Sequence, residues 1–232
     1  MNGSMTTIWR TPRDRPSRCW RSRAFRGFLA ALLLAIIVVW MCGGGSYILR
    51  SLGWLVVAQE PLEKADILVV AIDANGAGTL EAADLVHRGV STQVAVFNDP
   101  PGPVDREFIR RGLPYEDRGA VSTRQLLSLG IQNVKQIPRR TTGSEQEGDI
   151  LPTWCEEQGY HSVILITSSD HSRRVSRILR RSVRGHWVRV SVKASPYSEF
   201  DPNAWWKTRE GARTEIFELE KLILDVIRHP FS

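Results

Sequence analysis

Residues 165–174 read Leu-Ile-Thr-Ser-Ser-Asp-His-Ser-Arg-Arg. An apolar run ends there in two hydroxyls, a carboxylate, an imidazole and paired guanidinium groups. If the apolar run is a strand and the basic run a helix, Ser168 and Ser169 stand at a helix N-terminus. Free backbone N–H groups and the helix dipole favour a phosphate or carboxylate at such a place. His171 would act there as general acid or base, with the helix N-terminus keeping the imidazole neutral. Arg174, one turn further, offers a bidentate grip on an anion. The simpler alternative is that Ser169 or Asp170 merely caps the helix. Arg173, Arg177, Arg180, Arg181 and Arg184 are read as a solvated basic face.

A second constellation is Ser144 and Glu147, where Glu147 is a candidate base or hydroxyl acceptor. The same Ser-x-x-Glu spacing is a capping box, which would explain both residues without a ligand. Several chemistries lack support. There is no Gly-x-Ser-x-Gly elbow, P-loop or Gly-x-Gly-x-x-Gly, and no His-x-x-x-His or Cys-x-x-Cys pair for a transition metal. The cofactor is unknown; a nucleotide-type cofactor is suggested by the fold class alone.

The elements that must position these residues alternate. Strands are predicted over 66–74, 92–99, 133–138, 162–169 and 187–194. Helices are predicted over 79–89, 104–112, 120–130, 144–159, 171–183 and 212–228, with Pro152 expected to kink the fourth or bound it. This order implies an α/β, Rossmann-like fold: a mainly parallel sheet of about five strands with helices on both faces. Ligands bind such sheets beyond the carboxyl ends of the strands. That rule adds Asp73 and Asn98 as candidate ligand-binding residues beside Ser144, Ser168, Ser169 and Arg174.

Residues 1–26 hold seven arginines against Asp14; the rest of the chain is left with 24 basic and 24 acidic residues. The basic character belongs to the tail, which argues against nucleic-acid binding by the main domain. Residues 27–49 carry no charge, and as a helix they would span roughly 35 Å, enough for a bilayer core. A cleaved signal peptide would want small residues where Trp40 and Met41 stand, and lipoprotein processing a small residue before Cys42. The expected organisation is therefore a basic cytoplasmic tail (1–26), a transmembrane anchor (27–49) and an extracytoplasmic α/β domain (50–232). Cys155 is the one cysteine of that domain, so no internal disulfide is possible.

The stretch Leu52–Ala74, the helix containing Leu80–Gly89, Ser144 and Glu147, the run Thr167, Ser168, His171, Arg174, and the closing Glu218 and Lys221 together resemble the YdcF-like proteins. That group includes the SanA-type and ElyC-type bacterial envelope proteins. The resemblance covers roughly residues 52–228. It departs after the first strand, where Asp73 and Asn75 intrude on a Gly-rich turn and Thr79 stands in place of an arginine. It implies a Rossmann-like domain held at the bacterial cytoplasmic membrane and linked to cell-envelope or peptidoglycan-precursor metabolism. The expected partners are the bilayer and an anionic small molecule, such as a lipid-linked sugar phosphate. The expected role is binding or processing that precursor; the alternative is a non-catalytic regulatory module of envelope biogenesis.

Overall fold

The structure is a computed structural model that describes residues 18–39 and 44–231. The chain divides into two units, residues 1–48 and 49–232. The first contains helix α1 (Arg18–Val39); helix α2 (Gly45–Leu55) crosses the boundary between the two. No helix among the described residues is long and apolar enough to cross a membrane. The uncharged run expected to form the anchor includes residues 40–43, which lie outside the described residues, as does most of the arginine-rich tail.

The second unit holds five strands: β1 (Ile67–Val70), β2 (Val94–Asn98), β3 (Val134–Arg140), β4 (Ser162–Thr167) and β5 (Arg189–Ala194). All pair in parallel in the order β3-β2-β1-β4-β5. Val69 lies opposite Ala95 on one side and Leu165 on the other. β1 and β2 are buried along their whole length, and β4 from Val163 onward. That is why these segments read as continuous apolar runs rather than alternating ones. The expected α/β, Rossmann-like fold is present.

Six helices flank the sheet: α3 (Asn75–His87), α4 (Pro103–Arg110), α5 (Arg118–Ser128), α6 (Ser144–Glu157), α7 (Ser172–Ser182) and α8 (Arg209–Arg228). α3 packs with α5, and α6 with α7. Pro152 neither ends nor bounds α6; it sits buried inside the helix. A small second core joins Val56, Val57 and Phe200 to Trp205 and Leu219. The indole of Trp205 donates to Leu49 O at 2.7 Å, so this tryptophan packs the domain.

The chain builds outward from β1 to β2 and β3, then returns to place β4 on the other side of β1. The connections diverge there, leaving a crevice beyond the carboxyl ends of β1 and β4.

Candidate functional site

After β1 the chain makes one short 3-10 turn, Ile72–Ala74, and enters α3 through Asn75 at φ 45° and ψ −140°. That backbone region disfavours side chains other than glycine, and such strain collects at ligand sites. The entry is tight: a Cβ on Gly78 would lie 2.4 Å from Ala74 Cβ and 2.9 Å from Val70 Cγ1. The turn projects Asp73 towards the end of β4, where Thr167 Oγ1 donates to its Oδ1 and Oδ2 at 2.9 and 3.1 Å. Asp73, the first turn of α3, Ser168, Asp170, His171, Tyr197–Phe200 and the start of α8 enclose a crevice of about 510 Å³.

His171 reaches this crevice from the turn Ser169–His171 that links β4 to α7. Its Nε2 lies 3.8 Å from Asp73 Oδ2 and 3.4 Å from Asp170 Oδ2. Behind it, Nδ1 is 3.0 Å from Glu218 Oε2, an ion pair that falls short of an aligned hydrogen bond. Burial opposes protonation of the ring, but Glu218, Asp170 and Asp73 outweigh it and raise the pKa above its ordinary value. This is opposite to the downward shift expected from a helix N-terminus: the three carboxylates outweigh burial. Burial also opposes ionisation of Glu218, yet its contacts with His171 and Lys221 and the charge of Arg174 hold it down at about 2. Burial raises Asp73, against the pull of His171 and Thr167. The pair facing the crevice is thus an imidazole biased towards its acid form and a carboxylate biased towards accepting a proton.

Glu147 joins this cluster from below. The capping box is not formed: Gly143 is the N-cap of α6, without a side-chain bond. Glu147 instead turns inward, 1% exposed, and accepts the Ile72 N–H at 2.7 Å. It thereby ties α6 to the turn that carries Asp73. Burial and the nearby charge of Asp73 push its carboxyl up to about 8. Its part is to hold that turn, and it is not among the residues lining the crevice.

Other candidates are placed differently. Ser168 lines the crevice, with its hydroxyl buried and unpartnered. Ser169 is occupied by the fold: its N–H donates to Ser198 Oγ at 2.8 Å and its hydroxyl to Phe200 O at 3.2 Å. The expected anion cradle at the start of α7 is also closed. Arg173 N–H donates to Val56 O, Arg173 Nη2 to Val57 O, and Ser172 Oγ accepts from Ala58 N–H. The exposed helix N-terminus at the crevice is that of α3, which no side chain caps. Ser144 begins α6 away from the crevice. Asn98 is buried between strands, donating to Ile137 O at 3.3 Å, with the backbone of Gly119 closing over its Oδ1. Its side chain ties β2 to β3, its Oδ1 has no hydrogen-bond partner, and it is not among the residues lining the crevice.

Arg174 does not share the crevice with His171. Glu218 stands between them: its Oε2 is 3.2 Å from Arg174 Nε, and Arg174 lines a separate groove beside α8. The arginines expected to form a solvated face are largely internal ties. Arg177 and Arg181 both grip Asp225, at 2.6 and 2.7 Å, and Arg180 pairs with Glu60.

Thr167 and Glu218 were indicated only by the family resemblance; Asp170, Glu215 and the Tyr197–Phe200 loop were not singled out as ligand-binding residues. Glu215 is fully buried with neither carboxylate oxygen hydrogen-bonded, and burial with the charge of Asp170 pushes it up to about 7. Glu215, Glu218 and Asp225 lie on one face of α8, but Leu219 packs into the small second core beside them, so the helix pattern does not single these acids out.

Among the described residues, no group of three His, Cys, Asp or Glu side chains is placed to hold a metal ion. No family model and no curated protein matches the sequence. The distantly similar solved structures include the following two. One is HcgE of Methanothermobacter marburgensis, bound to guanylylpyridinol and ATP: 14% identity, TM-score 0.31, covering 58% of this chain and 62% of that one. The other is a mycobacterial quinone oxidoreductase: 13% identity, TM-score 0.30, covering 79% and 52%. The chain thus spans less than two thirds of the length of either.

Proposed function

We propose that this chain is a membrane-anchored, YdcF-like envelope protein whose crevice binds and processes a phosphate-bearing cell-envelope precursor by acid–base chemistry. The observation that carries this reading is the pairing of Asp73 and His171 across the mouth of the crevice, 3.8 Å apart, with Glu218 behind the imidazole. The ligand's phosphate sits against the uncapped first turn of α3. His171 gives a proton to a leaving oxygen, and Asp73 takes one from an attacking hydroxyl or water. A lipid-linked sugar phosphate suits both walls, since its hydroxyls complement the carboxylates. Anchoring rests on the arginine-rich tail beside the uncharged run 27–49.

The acidic rim favours a second reading. Asp170, Glu199 and Glu210 line the crevice with no arginine or lysine among the lining residues. Such a rim does little to stabilise negative charge in a transition state, which suits a non-catalytic module that binds the precursor and regulates envelope assembly.

The test is turnover of a lipid-linked sugar phosphate by the purified full chain. Asp73→Asn and His171→Gln are expected to keep the circular dichroism spectrum and abolish turnover. Binding without turnover by the wild type selects the regulatory module, and turnover unaffected in both variants overturns the site. Topology is tested separately: a C-terminal reporter is expected to be active outside the cytoplasm, and activity confined to the cytoplasm refutes the anchor.

A further inference from the structure

On the far side of Glu218 from the crevice lies a groove of about 190 Å³ between α7 and α8, bordered by Arg174, Lys221, Arg228 and His229. Arg174, Lys221 and Arg228 line it, and Arg177 and Arg181 reach its edge through Asp225. Three carboxylates answer them, and two have little left to give. Asp225 is held by Arg177 on one oxygen and Arg181 on the other. Glu218 takes Lys221 Nζ at 2.6 Å on Oε1 while Oε2 serves His171 and Arg174. Glu145 is exposed and leans on Arg181 at 3.3 Å.

Unsatisfied positive charge remains. Arg174 is only 17% exposed, and Glu218 engages its Nε alone; its two terminal nitrogens have no partner among the described residues. Arg228 has no ion pair or hydrogen bond from its side chain among them either. A half-enclosed guanidinium with free Nη groups, beside an ammonium and a second free guanidinium, is shaped for the oxygens of a phosphate. The concavity strengthens the field beyond that of an open surface.

We propose that this groove is a second binding site, separate from the crevice, for a phosphate group carried by a soluble molecule or a lipid headgroup. Arg174 supplies the paired donors, held in place by Glu218; Lys221 and Arg228 close over the phosphate from α8. The site stands whether or not the crevice is catalytic.

The full-length protein is titrated with inorganic phosphate by calorimetry. In parallel it is floated with phosphatidylcholine vesicles that contain or lack phosphatidic acid. Arg228→Gln, at a side chain the fold does not use, is expected to weaken binding about fivefold, and Arg228→Gln with Lys221→Gln about tenfold or more. Asp73→Asn, in the crevice, is expected to leave this binding unchanged. Saturable binding of inorganic phosphate that is weakened in the double variant supports the site with a soluble source. Flotation that requires phosphatidic acid and is lost in the double variant supports it with a lipid source. The proposal is overturned if neither probe binds, if the double variant binds like the wild type, or if only Asp73→Asn removes binding.

Discussion

Replacing Glu147 by Gln isolates the cost of keeping a carboxyl in the floor of the site. The Gln carbonyl can still accept the Ile72 N–H that Glu147 takes at 2.7 Å, so the turn carrying Asp73 keeps its support while the titratable proton is removed. In the fold the carboxyl titrates at about 8, against 4.5 for an unperturbed glutamate. Below pH 4.5 both states of the wild type are protonated there, and Glu147 costs nothing. As the pH rises, the unfolded chain ionises and the native one does not, so stability falls until the native carboxyl also ionises near pH 8. A gap of about 3.5 pH units at about 1.36 kcal/mol each amounts to about 5 kcal/mol, with about 3 kcal/mol of it incurred by pH 7. Urea denaturation of wild type and Glu147→Gln from pH 4.5 to 9 measures it. The difference between the two removes Glu215 and every other common group. The variant is expected to gain on the wild type steadily across this range and to level off above pH 8. Parallel pH profiles would refute the assignment of a buried, neutral Glu147.

Glu218 has the opposite sign. Held at about 2 in the fold, it stabilises the protein above pH 4.5 by about 3 kcal/mol, and that contribution disappears as the pH falls towards 2. The stability gap between wild type and Glu218→Gln is therefore expected to shrink by that amount on acidification, read by the same denaturation series. Gly78→Ala forces a methyl group against Ala74 and Val70 and is expected to cost about 1–3 kcal/mol, checked by thermal unfolding at fixed pH.

The sheet was legible because β1, β2 and β4 are buried on both faces and carry unbroken branched runs, and because glycines such as Gly89 end the helices. The strand-end rule also picked Asp73 correctly as a lining residue, since position along a strand is local information. It also pointed to Asn98, which does not line this crevice: the connections diverge between β1 and β4, and strand order is not written in any one segment. The spacing of His171 and Arg174 put them one turn apart but could not show that a third residue, Glu218, would come from 44 positions later and part them. The capping box at Ser144 was a sound local reading that lost to a tertiary one: the buried Ile72 amide claims Glu147. Helix α8 misleads most. Its pattern is amphipathic, yet Ile216, Ile223 and Ile227 are exposed while Glu215, Glu218 and Asp225 are buried. Polar partners on α7 and the turn before it turn Glu218 and Asp225 inward; buried Glu215 has no such partner.

The account depends on the crevice beyond β1 and β4 being where the ligand is handled. A crystal of the protein soaked with a short-chain lipid-linked sugar phosphate tests this most directly. The expected result is a ligand with its phosphate against Asn75–Ala77 and a polar atom within hydrogen-bonding distance of both Asp73 and His171. A ligand bound elsewhere, with the crevice holding only solvent, would contradict it.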